Sequence, residues 1–153
     1  MPQGSTAVLV LALVAFASAS CARLERAHEC LSLADEINPI LARIEHMATP
    51  TPSAERLRKL AILYRDLAAR VKAAPASNAD LAPALDGYRE VLLETASTLE
   101  TLAGANSAPA QARKKSKSKG RSPAALAGVA QLETVRRREE IQVERINRLC
   151  QRL

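Results

Sequence analysis

The residues of this chain best suited to chemistry are three cysteines, Cys21, Cys30 and Cys150, and two histidines, His28 and His46. On one straight helix the histidines would share a face but stand about 27 Å apart, so a common metal site would need a sharp break at Pro39. Glu25-x-x-His28 has the spacing used in di-iron bundles. Those bundles use it twice, with two further carboxylates, and here it occurs once. There is no His-Glu-x-x-His and no glycine-rich phosphate loop. No serine or cysteine can be given a histidine base from spacing. Asp35-Glu36 and Glu139-Glu140 are adjacent pairs, which point about 100° apart on a helix and are expected to be solvated. These readings predict no catalytic residue, no cofactor and no metal site. The chain reads as non-enzymatic.

The cysteines carry more information. Cys21 closes an apolar stretch, AVLVLALVAFASA from Ala7 to Ala19, that contains no charge. It is too short to cross about 30 Å of hydrocarbon, which takes roughly 20 helical residues. Its length suits the apolar region of a secretory signal, and Ala17, Ala19 and Ser20 are the small residues a processing site needs. Met1 to Gly4 contain no Lys or Arg. The end of the stretch, Ser18-Ala19-Ser20-Cys21, resembles the lipobox of bacterial lipoproteins, with Ser18 where that pattern usually has leucine. The resemblance implies a signal peptide over residues 1–20 and a fatty acyl chain such as palmitate on Cys21. It also implies a membrane-anchored place on the periplasmic side of a bacterial cell envelope. Ordinary cleavage after Ala17 or Ala19 would instead release a soluble periplasmic or secreted protein.

Acylation of Cys21 would leave Cys30 and Cys150 as the remaining pair. Cys21 and Cys30 are poorly placed for each other, because nine helical residues separate Cα atoms by about 13.5 Å against a disulfide limit of about 7 Å. An oxidising compartment favours a Cys30–Cys150 bond over two buried free thiols.

The elements that must position these cysteines are helical, with no strand pattern. The first helix is expected from about Arg23 to Met47, with Leu24, Ala27, Leu31, Ala34, Leu41, Ile44 and Ala48 as its apolar stripe and a kink or break near Asn38 ahead of Pro39. The second starts at Thr51-Pro52 or Ser53, runs to Ala73 and buries Leu57, Leu60, Tyr64, Leu67 and Val71. The third is capped by Asp80, stops at Gly104 and repeats Leu81, Leu85, Tyr88, Leu92, Thr95, Leu99 and Leu102. The fourth restarts at Ser122-Pro123 and carries Leu126, Val129, Leu132, Val135, Ile146 and Leu149 or Cys150. Its middle, VRRREEIQVER, places opposite charges one turn apart, as a solvated face does. Together these predict one all-α domain over residues 21–153, an antiparallel up-down four-helix bundle. Such a bundle brings the start of its first helix beside the end of its last, which makes Cys30 and Cys150 neighbours. A looser three-helix or extended coiled-coil form fits the same composition.

Charge is concentrated in one place. The chain has 22 basic and 16 acidic residues, and Arg113, Lys114, Lys115, Lys117, Lys119 and Arg121 hold the whole excess. They lie in residues 104–121, GANSAPAQARKKSKSKGR, which have almost nothing to bury and read as a disordered basic linker. With the signal removed the only aromatics are Tyr64 and Tyr88, both on core stripes, so no base-stacking platform accompanies the charge. The run is therefore read as a contact for anionic cell-wall polymer or an envelope protein. A cytosolic nucleic-acid-binding protein is the alternative if the start of the chain is not a signal.

Overall fold

A computed structural model describes residues 6–49, 51–107 and 123–151. Among them are four helices and no strand: α1 (Thr6–Met47), α2 (Ala54–Ala73), α3 (Leu81–Ser107) and α4 (Pro123–Gln151). No helix among the described residues is long and apolar enough to cross a membrane. Of the expected basic linker, residues 104–107 belong to α3, while the segment holding Arg113, Lys114, Lys115, Lys117, Lys119 and Arg121 lies outside the described residues.

Local chemistry sets the helix ends. Ser53 takes an extended conformation, and its hydroxyl accepts the Arg56 amide at 3.2 Å, satisfying one of the donors a helix start leaves free. At α3 the cap is Asn78, not the expected Asp80. The Asn78 side-chain oxygen accepts the amides of Asp80 at 2.9 Å and Leu81 at 3.2 Å, and its carbonyl accepts that of Ala82. An asparagine reaches amides two and three residues on, so it closes the turn before Asp80 is needed. Gly104 does not stop α3. A glycine stop uses a positive φ, none occurs among the described residues, and the helix continues to Ser107. The expected break at Pro39 is also absent, because α1 runs through it without interruption. Proline removes only the one amide that would have reached Asp35, and Ile40 beside it is buried.

α3 lies between α2 and α4 and supplies more of the core than any other helix. All seven residues of its expected stripe are buried, and Ala84, Val91, Ala96, Thr98 and Ala103 are buried on a second face. Thr95 and Thr98 are accommodated there because each hydroxyl donates to its own helix, to the carbonyls of Val91 and Glu94 at 2.9 Å. The α2 stripe is also as expected, except that Tyr64 is only half-buried.

The contacts between helices follow a regular order. Arg58, early in α2, donates to Ser107 at the end of α3, and Arg65 forms a two-bond ion pair with Glu100 at 2.5 and 2.6 Å. Glu94 pairs with Arg138, and Gly128 near the start of α4 sits against Leu102. α1 is attached by Glu36–Arg70 at 2.9 Å, by Glu29 to Ser77, and by Cys30 to Cys150.

Two stripes differ from expectation. In α1, Leu24 and Leu31 are 74% and 66% exposed, and the face turned inward is Cys30, Leu33, Ile37, Ile40, Ile44 and Met47. These residues recur at three and four from Cys30, so once Cys30 faces α4 the helix rotation is set and Leu31, about 100° away, is turned outward. In α4, Leu126 and Val129 are 54% and 42% exposed, and Gly128 faces α3 instead. A Cβ at Gly128 would stand 2.6 Å from Leu102 Cδ2, so the small residue is what permits the close approach.

Candidate functional site

Cys30 and Cys150 form a disulfide with Cα atoms 5.9 Å apart, bridging a sequence separation of 120. Both half-cystines pack on the larger of the two apolar clusters, with Leu149 beside them. Cys21 lies further up α1, and its side chain is outside the described residues.

Next to the disulfide is a polar clamp that sequence reading missed. Glu29 is 6% exposed, and its Oε1 accepts both the amide of Ser77 at 2.7 Å and its hydroxyl at 2.5 Å. Burial raises the Glu29 pKa. The Ser77 hydroxyl, the amides of Ser77 and Asn78 and the charge of Arg26 outweigh that, and hold the carboxyl below the ordinary glutamate value. Glu29 stands one turn before Leu33 on the inward face, a face that periodicity alone did not single out.

Two clefts flank α1. The first, about 750 Å³, lies between α1 and α2 and is lined by His28, Ser32, Asp35, Glu36, Asp66 and Arg70 among others. Its charges answer one another: Arg70 pairs with Glu36 at 2.9 Å and with Asp66 at 3.9 Å. No group of three or more metal-ligating residues exists among the described residues. Its histidine and serine stand one turn apart, and no hydrogen bond joins them among the described residues. His46 is exposed in the last turn of α1, so the two histidines are on separate parts of the molecule.

The second cleft is smaller, about 220 Å³, and mainly apolar. Ile44, Leu57, Leu60, Leu99 and Leu132 form its walls, and Tyr64, Thr95, Arg136 and Glu139 add polar groups. It exists because α1 and α4 are joined at the disulfide and are not packed together at the other end of α1. Glu139 was expected to be solvated and is instead half-buried. The reason is its register: Leu132, Val135, Glu139, Gln142 and Ile146 recur at three and four, so Glu139 and Gln142 occupy the inward stripe of α4. Burial, with Glu140 beside it, raises the Glu139 pKa. Burial and the nearby Glu139 charge push the Tyr64 hydroxyl up to about 12, and Tyr88 is raised by burial, by Glu139 and by Tyr64.

Comparison with protein-family models, curated proteins and solved structures returns no match to the chain.

Proposed function

We propose that the chain is a non-enzymatic, membrane-tethered lipoprotein of a bacterial envelope with a structural or interaction role. In this reading residues 1–20 are a signal peptide, Cys21 carries the acyl chain, and the protein stands on the periplasmic side. The observation that carries it is the Cys30–Cys150 disulfide. A long-range disulfide belongs to an oxidising compartment, and this one uses both cysteines downstream of Cys21, the one at the end of the lipobox-like stretch.

The helices form an antiparallel up-down bundle, with α1 bending at Pro39 where one helix hydrogen bond is lost. The order of the contacts supports this arrangement. Arg58 meets Ser107 while Arg65 meets Glu100, and Leu102 meets Gly128 while Glu94 meets Arg138. In each pair of helices the later residue on one meets the earlier on the other.

The topology separates the two ends by function. Cys150 and Pro123 are about 40 Å apart along α4. The segment joining α3 to α4 therefore leaves from the end away from the disulfide and from the anchor. Its basic run, Arg113 to Arg121, contacts anionic cell-wall polymer or an envelope protein rather than the membrane that holds Cys21.

Radiolabelled palmitate fed to cells expressing the wild type and Cys21→Ala tests the anchor. Label and membrane association in the wild type, both lost in the variant, are expected. An unlabelled mature protein of unchanged solubility in both would leave the same bundle as a soluble periplasmic or secreted binding or chaperone-like protein.

A further inference from the structure

The inward stripe of α4 should be apolar along its length, and at its centre it is not. Glu139 sits there, between Val135, which is 1% exposed, and Ile146, which is 8% exposed. A half-buried carboxylate calls for a cation. The neighbouring arginines are committed elsewhere: Arg136 pairs with Glu140 at 3.4 Å, Arg137 with Glu133 at 3.5 Å, and Arg138 with Glu94. No ion pair reaches Glu139 among the described residues.

Glu139 lines the small cleft, whose walls include leucine and isoleucine and whose lining also holds Tyr64. We infer that this cleft is a binding site for a small lipophilic ammonium ion, its apolar body between Leu57, Leu60, Leu99 and Leu132 and its charged head on Glu139. The chemistry favours a cation in three ways. The carboxylate inside repels an anion. A tyrosine face attracts an ammonium group within about 6 Å. Arg136, the one cation on the lining, is 74% exposed and held by Glu140 at the rim. The raised pKa of Glu139 is the cost of an unanswered charge, and an ammonium ion would remove it. The volume, about 220 Å³, limits the guest to a short chain or a single ring. This site is independent of whether Cys21 carries lipid.

The test uses the full chain with its disulfide intact and three probes of one shape: octylammonium, octanol and octanoate, each below its micelle concentration. The protein has two tyrosines and no tryptophan, so tyrosine emission reports on the cleft, and a thermal melt gives a second reading. Octylammonium is expected to bind saturably, about tenfold or more tighter than octanol, as a hydrogen-bonded charge pair would provide. Octanoate is expected to bind least. Glu139→Gln should bring octylammonium down to the octanol level and leave octanol unchanged. Should Glu139→Gln fail to fold by circular dichroism, Leu132→Phe, which fills the cleft from its wall, should abolish binding of octylammonium. Equal binding of octylammonium and octanol, tighter binding of octanoate, no saturable change with any probe, or a preference that survives the variant would each overturn the assignment.

Discussion

Ser77, in the loop between α2 and α3, gives both its amide and its hydroxyl hydrogen to one oxygen of Glu29, 48 residues earlier on α1. This is the polar counterpart of the disulfide one residue further on. The two together hold the middle of α1, and the inward face from Leu33 to Met47 packs on the core beyond them.

Removing that carboxylate should therefore be felt in stability. Glu29→Ala is expected to cost about 1.5 kcal/mol near neutral pH, the lower value for a hydrogen bond to a charged group. The dependence on pH follows from the lowered pKa. The folded state binds the Glu29 proton more weakly than the unfolded state, so its stabilisation is complete above the unfolded value. It is lost as pH falls through the folded one. Urea titrations of wild type and variant should differ at pH 7, and the gap should narrow as pH falls below the ordinary glutamate range; a gap that stays constant throughout the acid titration would rule out the charged clamp.

The disulfide should hold α1 more than it holds the other helices. Cys30→Ser with Cys150→Ser is expected to lower stability by about 2–5 kcal/mol, the usual cost of removing a native bond from a small domain. Hydrogen exchange gives the sharper reading. Amides of α1 from Cys30 to Met47 should lose protection in the reduced protein, while those of α2 and α3, joined by Arg65–Glu100 and a shared core, keep theirs. Uniform loss across all helices would contradict this division.

Gly104 and Gly128 offer a matched pair. A methyl group at Gly104 meets nothing within 4 Å, and the residue is exposed within α3. Gly104→Ala should raise stability by roughly 0.5–1 kcal/mol through helix propensity. At Gly128 the methyl would stand 2.6 Å from Leu102 Cδ2 and 3.0 Å from its Cγ, so the buried leucine would have to move as a whole. Overpacking of about 1–3 kcal/mol exceeds the propensity gain, and Gly128→Ala should destabilise. Thermal melts that shift in the same direction for both variants would refute the close contact between α3 and α4.

Much of this was written locally. The seven-residue stripe of α3, the cap at Ser53 and the end of α2 at Ala73 follow from residues within a turn or two, and all appear in the fold. The pairing of Cys30 with Cys150 was also within reach, because an even number of helices returns the chain to its start. Tertiary structure alone decided which side of α1 faces inward. Leu24 and Leu31 make as good a local stripe as Leu33, Ile37 and Ile40, and periodicity has no means to choose between overlapping faces. The choice belongs to the partners: the disulfide and Glu29 turn one face toward α4 and the Ser77 loop, and the other is left in water. Glu139 teaches the same lesson in reverse. Its charge marks it as a surface residue when read with its neighbour Glu140, and its register within α4, once that helix is packed on α3, carries it inward.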